Sequence, residues 1–431
     1  MIPTHIPIPL PGGLHGPLPK FVRVEQALSL ETVDNIETII TEEFKKFADI
    51  DLKGKSIAIG VGSRGIKQQL QVVQAVIAEL KAVGAEPFII PTMGSHGGGS
   101  VKGQIGVLTS YGFTEDKMGV PIRASMDVIE LDQLANGTPV CCDKMASEAD
   151  YIIACGRVKP HTDFRGPHES GLVKMLAIGL AKHTGATALH FNGFDNFKEM
   201  VPEAARKFLG KANILFGIAM VENSLENLRH LELVAPKDFM ERDAELLKLA
   251  KISIPQLMIN EIDVLVVDEI GKNISGAGMD PNVTNRTGTD MKGFNLGPKI
   301  GRIFVRDLTP VTEGNATGIG NADVTTQKVL AQMDWTKTYV NIVTAGVLDG
   351  GKMPLIANTD RDAVGIAIRG CPGVVSEKAR IVRISNTLEM THIWVSETLI
   401  DEVNANPKLT VIGKPFEAEF GEDGALMGDI E

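Results

Sequence analysis

Three stretches of this chain concentrate residues able to do chemistry. In Met93-Gly94-Ser95-His96-Gly97-Gly98-Gly99 a histidine stands among glycines, which offer an imidazole no packing and leave backbone amides open to an anion. That favours a catalytic His96 over a structural turn, with Gly94 and Ser95 beside it as ligand-binding backbone. In Gly156-Arg157-Val158-Lys159-Pro160-His161 a second histidine follows two cations, and the segment runs on through Ser170 and Lys174 to His183 and His190. Five of the nine histidines fall between positions 96 and 190, a clustering that suits a metal or proton-transfer site. Lys174 sits in an apolar helical pattern with Leu172, Met175, Leu176 and Ile178; taken alone, it reads as a snorkelling surface lysine.

The third stretch, Gly60-Val61-Gly62-Ser63-Arg64-Gly65, fits the dinucleotide pattern GxGxxG. In that fold an acid should close the following strand to hold the ribose hydroxyls, yet Phe88-Ile89-Ile90 runs into Pro91. Arg64 would also point a cation into the loop. A nicotinamide dehydrogenase, a plain strand-to-helix turn and a different anion site all stay open at this point.

The elements that must carry these loops alternate in the manner of a parallel sheet covered by helices. Strands are expected at 56–60, 87–91, 151–154 and 214–220. A helix is expected at 67–83, where Leu70, Val73, Val76, Ile77 and Leu80 recur at helical spacing before Gly84. All three stretches leave strands, so they open at the C-terminal edge of one sheet, where such sheets bind ligands. A charged helix over 236–251 precedes Pro255, and strands restart at 263–268 and 339–343, between Gly- and Asn-rich loops at 271–301 and 314–320. The reading is α/β with two domains, each a mostly parallel sheet flanked by helices, and an active site in the cleft between them. Residues 1–255 form the first domain and 256–406 the second; whether 407–431 packs back on the first is left open.

At 431 residues, with 43% hydrophobic and 23% charged side chains, the chain is long enough for two cores and too apolar to be disordered. A net charge of −11 with no basic run argues against nucleic acid. Cys141, Cys142, Cys155 and Cys371 show no CxxC spacing and no ladder of the secreted kind, and read as free thiols. With no signal-like N-terminus and no run of eighteen apolar residues, a cytoplasmic protein without a membrane span is expected.

Taken in order, these residues resemble the lactate racemase family that carries the nickel-pincer nucleotide. The resemblance covers most of the first domain: Ser63-Arg64, Gly94 and His96, Gly137-Thr138-Pro139, Glu148-Ala149-Asp150, Lys159-Pro160-His161, the Ser-Gly-x-x-Lys of Ser170 to Lys174, and His190. It implies His96 and His161 as acid and base on the substrate hydroxyl, Lys174 as the covalent tether, and His190 as the nickel ligand. Gly94, Ser95 and Ser170 would line the cofactor, and Arg64 would bind the substrate carboxylate. A lysine from the second domain completes the family's site; Lys272 is the choice and Arg286 the reserve. The implied activity is racemisation or epimerisation of a small 2-hydroxy acid, served by cofactor-assembly proteins. A cofactor-free lyase or binding protein is a further alternative, and the oligomeric state is not legible.

The sequence departs from the family where the usual acid before the loop arginine is Val61, the usual proline after it is Gly65, and Leu172 replaces the second glycine of Ser-Gly-Gly-x-Lys. The path from His161 to Lys174 is longer than in the family and carries Asp163, Arg165, His168 and Glu169. Arg165 is therefore expected to contact a polar substrate tail, making lactate a poor substrate.

Overall fold

The computed structural model describes residues 5–63, 65–289 and 291–430. The chain divides into two compact units, one spanning Ser29–Ile254 and the other built from the chain on either side of it.

In the Ser29–Ile254 unit, five strands lie in the order Glu86–Pro91, Ser56–Val61, Tyr151–Arg157, Ile214–Glu222, Leu228–Val234. The first four run parallel and the last is antiparallel. Runs such as Ile57-Ala58-Ile59 and Phe88-Ile89-Ile90 are apolar at consecutive positions because both sheet faces are covered, leaving no polar side to alternate with. Helix Gln69–Ala82 turns Val72, Val73, Val76, Ile77 and Leu80 inward, at the spacing expected of one helix face. Helix Ile36–Phe44 starts where Asn35 accepts from the Thr38 amide, and its Ile40 and Phe44 join the same core. All the strand ends that carry the sequence motifs belong to this sheet.

The other unit is an eight-stranded sheet: Leu355–Ala357, Val324–Thr326, Lys299–Leu308, Glu261–Ile270, Ile381–Ile384, His392–Ser396, Phe21–Gln26, Leu409–Phe416. Its first five strands are parallel and the last three antiparallel. One boundary differs from the sequence reading: Phe21–Gln26 belongs here. Leu409–Phe416, whose place the sequence left open, pairs with it. Residues 339–343, read as a strand, lie in helix Trp335–Ala345. The β-branched run is overruled by an N-cap, Asp334 accepting from the Lys337 amide, and by Gly346 at φ +68° closing the C-terminus.

The Ser29–Ile254 unit enters and leaves at one place. Arg229 donates to Ser29 Oγ (3.1 Å) and Ser253 Oγ (2.7 Å), while Ser224 Oγ donates to the Ser253 carbonyl at 2.8 Å. Among the described residues, no helix is long and apolar enough to cross a membrane.

Candidate functional site

His96 stands on the loop leaving Glu86–Pro91. Gly94 takes φ +55°, and a Cβ there would lie 3.3 Å from Ala186 and 3.4 Å from Ile178, so glycine lets the loop press against the following helical segment. Its N–H donates to the Gly179 carbonyl at 3.4 Å, so this amide is turned inward, away from any anion. Buried Gln104 holds the loop's shape by donating to the carbonyls of Gly94 (3.0 Å) and His96 (3.3 Å). The exposed His96 ring meets Ser63 Oγ through Nδ1, and Tyr111 fixes Ser63 in turn by donating to its carbonyl at 3.0 Å. A serine from the neighbouring strand end thus orients the imidazole.

His161 is positioned by the segment that follows it. Its amide donates to Glu169 Oε2 at 2.9 Å, its Nδ1 accepts from the Asp163 amide at 3.0 Å, and its ring packs against Phe164, tilted by 40° with centroids 4.5 Å apart. Nε2 meets the Lys174 amine. Glu169 has a fully buried carboxylate and also receives Arg165 (3.0 Å) and Lys251 (2.8 Å). Arg165 further donates to the His161 carbonyl at 2.7 Å. These contacts give Arg165 a bracing part in the loop that presents His161, beside the substrate contact expected of it.

A second brace sits one layer deeper. Asp243 pairs with His168 Nδ1 at 3.2 Å and accepts from the Val173 amide at 3.4 Å, anchoring the start of the helix that carries Lys174. Gly171 is required there, since a Cβ would fall 2.1 Å from Asp243 Oδ1. Ser170 bridges to Lys159 through both backbone hydrogen bonds, at 3.1 and 3.2 Å. The following segment changes pitch: Leu172–Lys174 is α-helical, Met175–Gly179 is a π turn, and Lys182–His190 is α-helical again. Such π turns collect at functional sites because they shift side chains off the regular helical face.

That shift brings Lys174 and His190 onto one surface with the aromatic rings of Phe164, Phe194 and Phe197. His190 Nδ1 lies 2.6 Å from the Ala186 carbonyl, to which it donates, so its remaining lone pair is on Nε2. The residue is exposed as a whole, yet its ring lies 5.0 Å from Phe197 and 5.7 Å from Phe194. This apolar crowding is the largest influence on its pKa and lowers it, keeping the ring neutral. A neutral imidazole pinned at one nitrogen by a carbonyl is the form in which histidine binds metals.

Lys182, which the sequence did not single out, is completely buried at φ +53°. It pairs with buried Asp143 at 2.7 Å and donates to the Pro91 carbonyl at 2.6 Å, where the His96 loop begins. No sequence signal marked it, because lysines normally read as surface. Ser63 stood inside a quoted motif, but only its contact with His96 reveals its part.

Two other expected residues, Lys272 and Arg286, belong to the other compact unit. Arg64 is outside the described residues. Lys272 donates to the Gly276 carbonyl at 2.8 Å from an exposed loop. Arg286 pairs with Asp323 at 2.7 Å and donates to the Gly301 carbonyl at 2.8 Å, a bracing role that argues against the reserve choice. Among the described residues no group of three His, Cys, Asp or Glu side chains is placed to hold a metal. A metal at His190 would need most of its donors from an organic ligand, and a pincer group attached to nearby Lys174 fits that donor set.

No family model matches the chain, and no curated protein does. Among solved structures it is similar to the lactate racemase apoprotein from Thermoanaerobacterium thermosaccharolyticum, with a TM-score of 0.51 and 13% identity over 86% of this chain and 99% of that one. At that identity the likeness is one of fold.

Proposed function

We propose that this chain is a cytoplasmic racemase or epimerase of a small 2-hydroxy acid, with a nickel-pincer nucleotide tethered to Lys174 and its nickel facing His190. The observation that carries the reading is the carbonyl-pinned, neutral His190 on one aromatic-lined surface with the Lys174–His161 pair. A lactate racemase of the same fold supports it.

The α-hydrogen beside a carboxylate is too weakly acidic for a neutral imidazole to remove, so inversion by hydride loss and return is the easier route. Bound at Lys174 and His190, the pincer nucleotide would supply the hydride acceptor and donor. The chain's own part is the hydroxyl proton. His161 Nδ1 accepts from the Asp163 amide, so Nε2 carries the ring hydrogen and presents it as a donor; His161 takes a proton at Nε2 only once its ring has left that amide. His96 is fixed through Nδ1 to Ser63 and likewise presents Nε2. One histidine takes the hydroxyl proton from one enantiomer and the other returns it on re-reduction of the flat 2-keto acid, so the two interchange roles with direction. Arg64 is proposed for the carboxylate, and assembly proteins would deliver the cofactor.

The test is intact mass and nickel content after production in a host that makes the pincer nucleotide. Wild-type chain is expected to carry a sulfur-bearing adduct and nickel, and Lys174→Ala neither; an adduct unchanged in the variant refutes the tether. His96→Ala and His161→Ala are each expected to stop loss of optical activity from both enantiomers.

A further inference from the structure

We propose that Lys182 is a positioning residue: its ammonium ties the root of the His96 loop to the segment that carries Lys174 and His190, and so holds these parts of the site in register.

Three pieces of chain far apart in sequence meet at this amine. Nζ donates at 2.6 Å to the carbonyl of Pro91, the last residue of strand Glu86–Pro91, from which the loop runs on to His96. Nζ also pairs with Asp143 at 2.7 Å, and neither side chain has any exposed surface. Asp143 is held on its own account: its amide donates to the Leu180 carbonyl at 2.7 Å, and its Oδ1 accepts from the Ala146 amide at 3.1 Å. Lys182 itself opens helix Lys182–His190, just beyond the π turn that starts next to Lys174. A second tie joins the same two pieces, the Gly94 amide on the Gly179 carbonyl, but it is 3.4 Å long and carries no charge. A bond from an ammonium to a carbonyl in a water-free interior is the stronger of the two.

The arrangement is costly in two ways that a residue serving only the fold would avoid. Of the four described non-glycine residues with positive φ, Lys182 alone is fully buried. A Cβ is strained at φ +53°, a conformation glycine adopts freely. The same residue also takes a charge out of water, and a buried ion pair is often no more stabilising than apolar side chains of equal volume. Strained backbone that persists in spite of such costs collects where a site needs a group held in place.

What the ammonium does here that a methyl group could not is grip the Pro91 carbonyl. Gln104 acts further along the loop, at the carbonyls of Gly94 and His96. Lys182 therefore governs where the loop starts, and Gln104 the shape it takes. The tie itself stands on these contacts; only its use in bringing His96 to a substrate rests on the function proposed above.

The test uses the purified full-length chain without nickel or nucleotide, and a double variant, Lys182→Met with Asp143→Asn, which removes both charges, nearly keeps the volume and retains the Oδ1 that accepts from Ala146. Amide exchange, read by peptide mass spectrometry, should quicken by about tenfold or more over residues 92–99 and stay within about twofold over strands Ser56–Val61 and Tyr151–Arg157. In NMR spectra of histidine-labelled chain, the His96 ring nitrogens, assigned with His96→Ala, should move toward the shifts of free histidine as the contact with Ser63 loosens. Lys182→Gln with Asp143→Asn keeps a donor that falls short of the Pro91 carbonyl and should show the same changes to a smaller degree; it also serves should the first variant not fold. Unchanged exchange over 92–99 together with unchanged His96 signals overturns the proposal. So does exchange that rises equally in all three segments, or failure of both variants to fold, because either makes the pair a support of the whole unit. In loaded enzyme, kcat for both enantiomers should fall by about tenfold or more with KM within about threefold, since a displaced proton-transfer group impairs chemistry more than binding. If kcat holds while the exchange and NMR changes appear, the tie stands and it is the role proposed for His96 that fails.

Discussion

Glu169→Gln is the most searching perturbation of the site, because it removes one negative charge from a carboxylate that shows no surface and meets two cations. Oε2 accepts from the His161 amide and Arg165, and Oε1 accepts from Lys251. In glutamine one of those oxygens becomes NH2, and either orientation sets it against a donor. Removing one partner of a buried ion pair costs about 3–5 kcal/mol. Lys251 keeps 28% of its side chain exposed and can turn to water, which places the loss near the lower end, about 3 kcal/mol. For a unit of this size that lowers the melting temperature by roughly 6–12 °C. Differential scanning calorimetry reads the shift; the less costly orientation keeps the amide oxygen on the His161 amide and Arg165 and turns the NH2 toward Lys251, so racemisation should fall only in step with stability. A variant melting within about 2 °C of wild type would refute the view that Glu169 is the keystone of this loop.

Arg165→Ala should depress turnover of lactate and of dicarboxylic or polyhydroxy 2-hydroxy acids by a similar factor if bracing is its main part, measured as loss of optical activity; a loss confined to the polar substrates would instead give it the specificity role expected of it. Gly171→Ala should destabilise the fold by driving a methyl onto Asp243, and Asp243→Ala should recover part of that loss in the double variant, read by urea unfolding. The carboxyl of Glu232 is raised by burial, but hydrogen bonds from His230 and Arg242 outweigh this and bring it down to about 2 from an ordinary 4.5. Because the folded value is the lower one, its stabilisation is present above about pH 4.5 and fades as pH falls toward 2. Glu232→Gln should flatten the acid limb of the stability profile there, by about 1 kcal/mol after allowing for solvent screening; an unaltered acid limb would count against it.

The strands and the loops that carry His96 and His161 were legible because a fully covered parallel sheet writes itself as short apolar runs ending in glycine-rich turns. Helix Trp335–Ala345 was not, since Tyr339 to Val343 is a β-branched run whose fate is decided by caps at Asp334 and Gly346. The partnerships of the site were hidden for a different reason. Arg165 and Glu169 stand four apart in sequence, which was visible, but Lys251 and Asp243 reach the same loop from a helix some eighty residues on, and no local pattern signals that. Lys182 illustrates the same limit: its burial beside Asp143 depends on a left-handed backbone turn that only the fold reveals.

The common doorway of the Ser29–Ile254 unit, closed by Arg229 between Ser29 and Ser253, bears on how the chain is made. On the ribosome this unit has all of its strands as soon as Ile254 has emerged, so it can fold while the rest is still being synthesised. The eight-stranded sheet has no such freedom. Its strand Phe21–Gln26 is among the first parts made, yet its partner Leu409–Phe416 is among the last, so the early strand must wait unpaired through nearly the whole of translation. Truncations near the C-terminus should therefore spare the half that holds His96, His161, Lys174 and His190 and strand the other half as an aggregation-prone edge. A fragment of residues 29–254, whose ends already meet, is the natural piece to express alone.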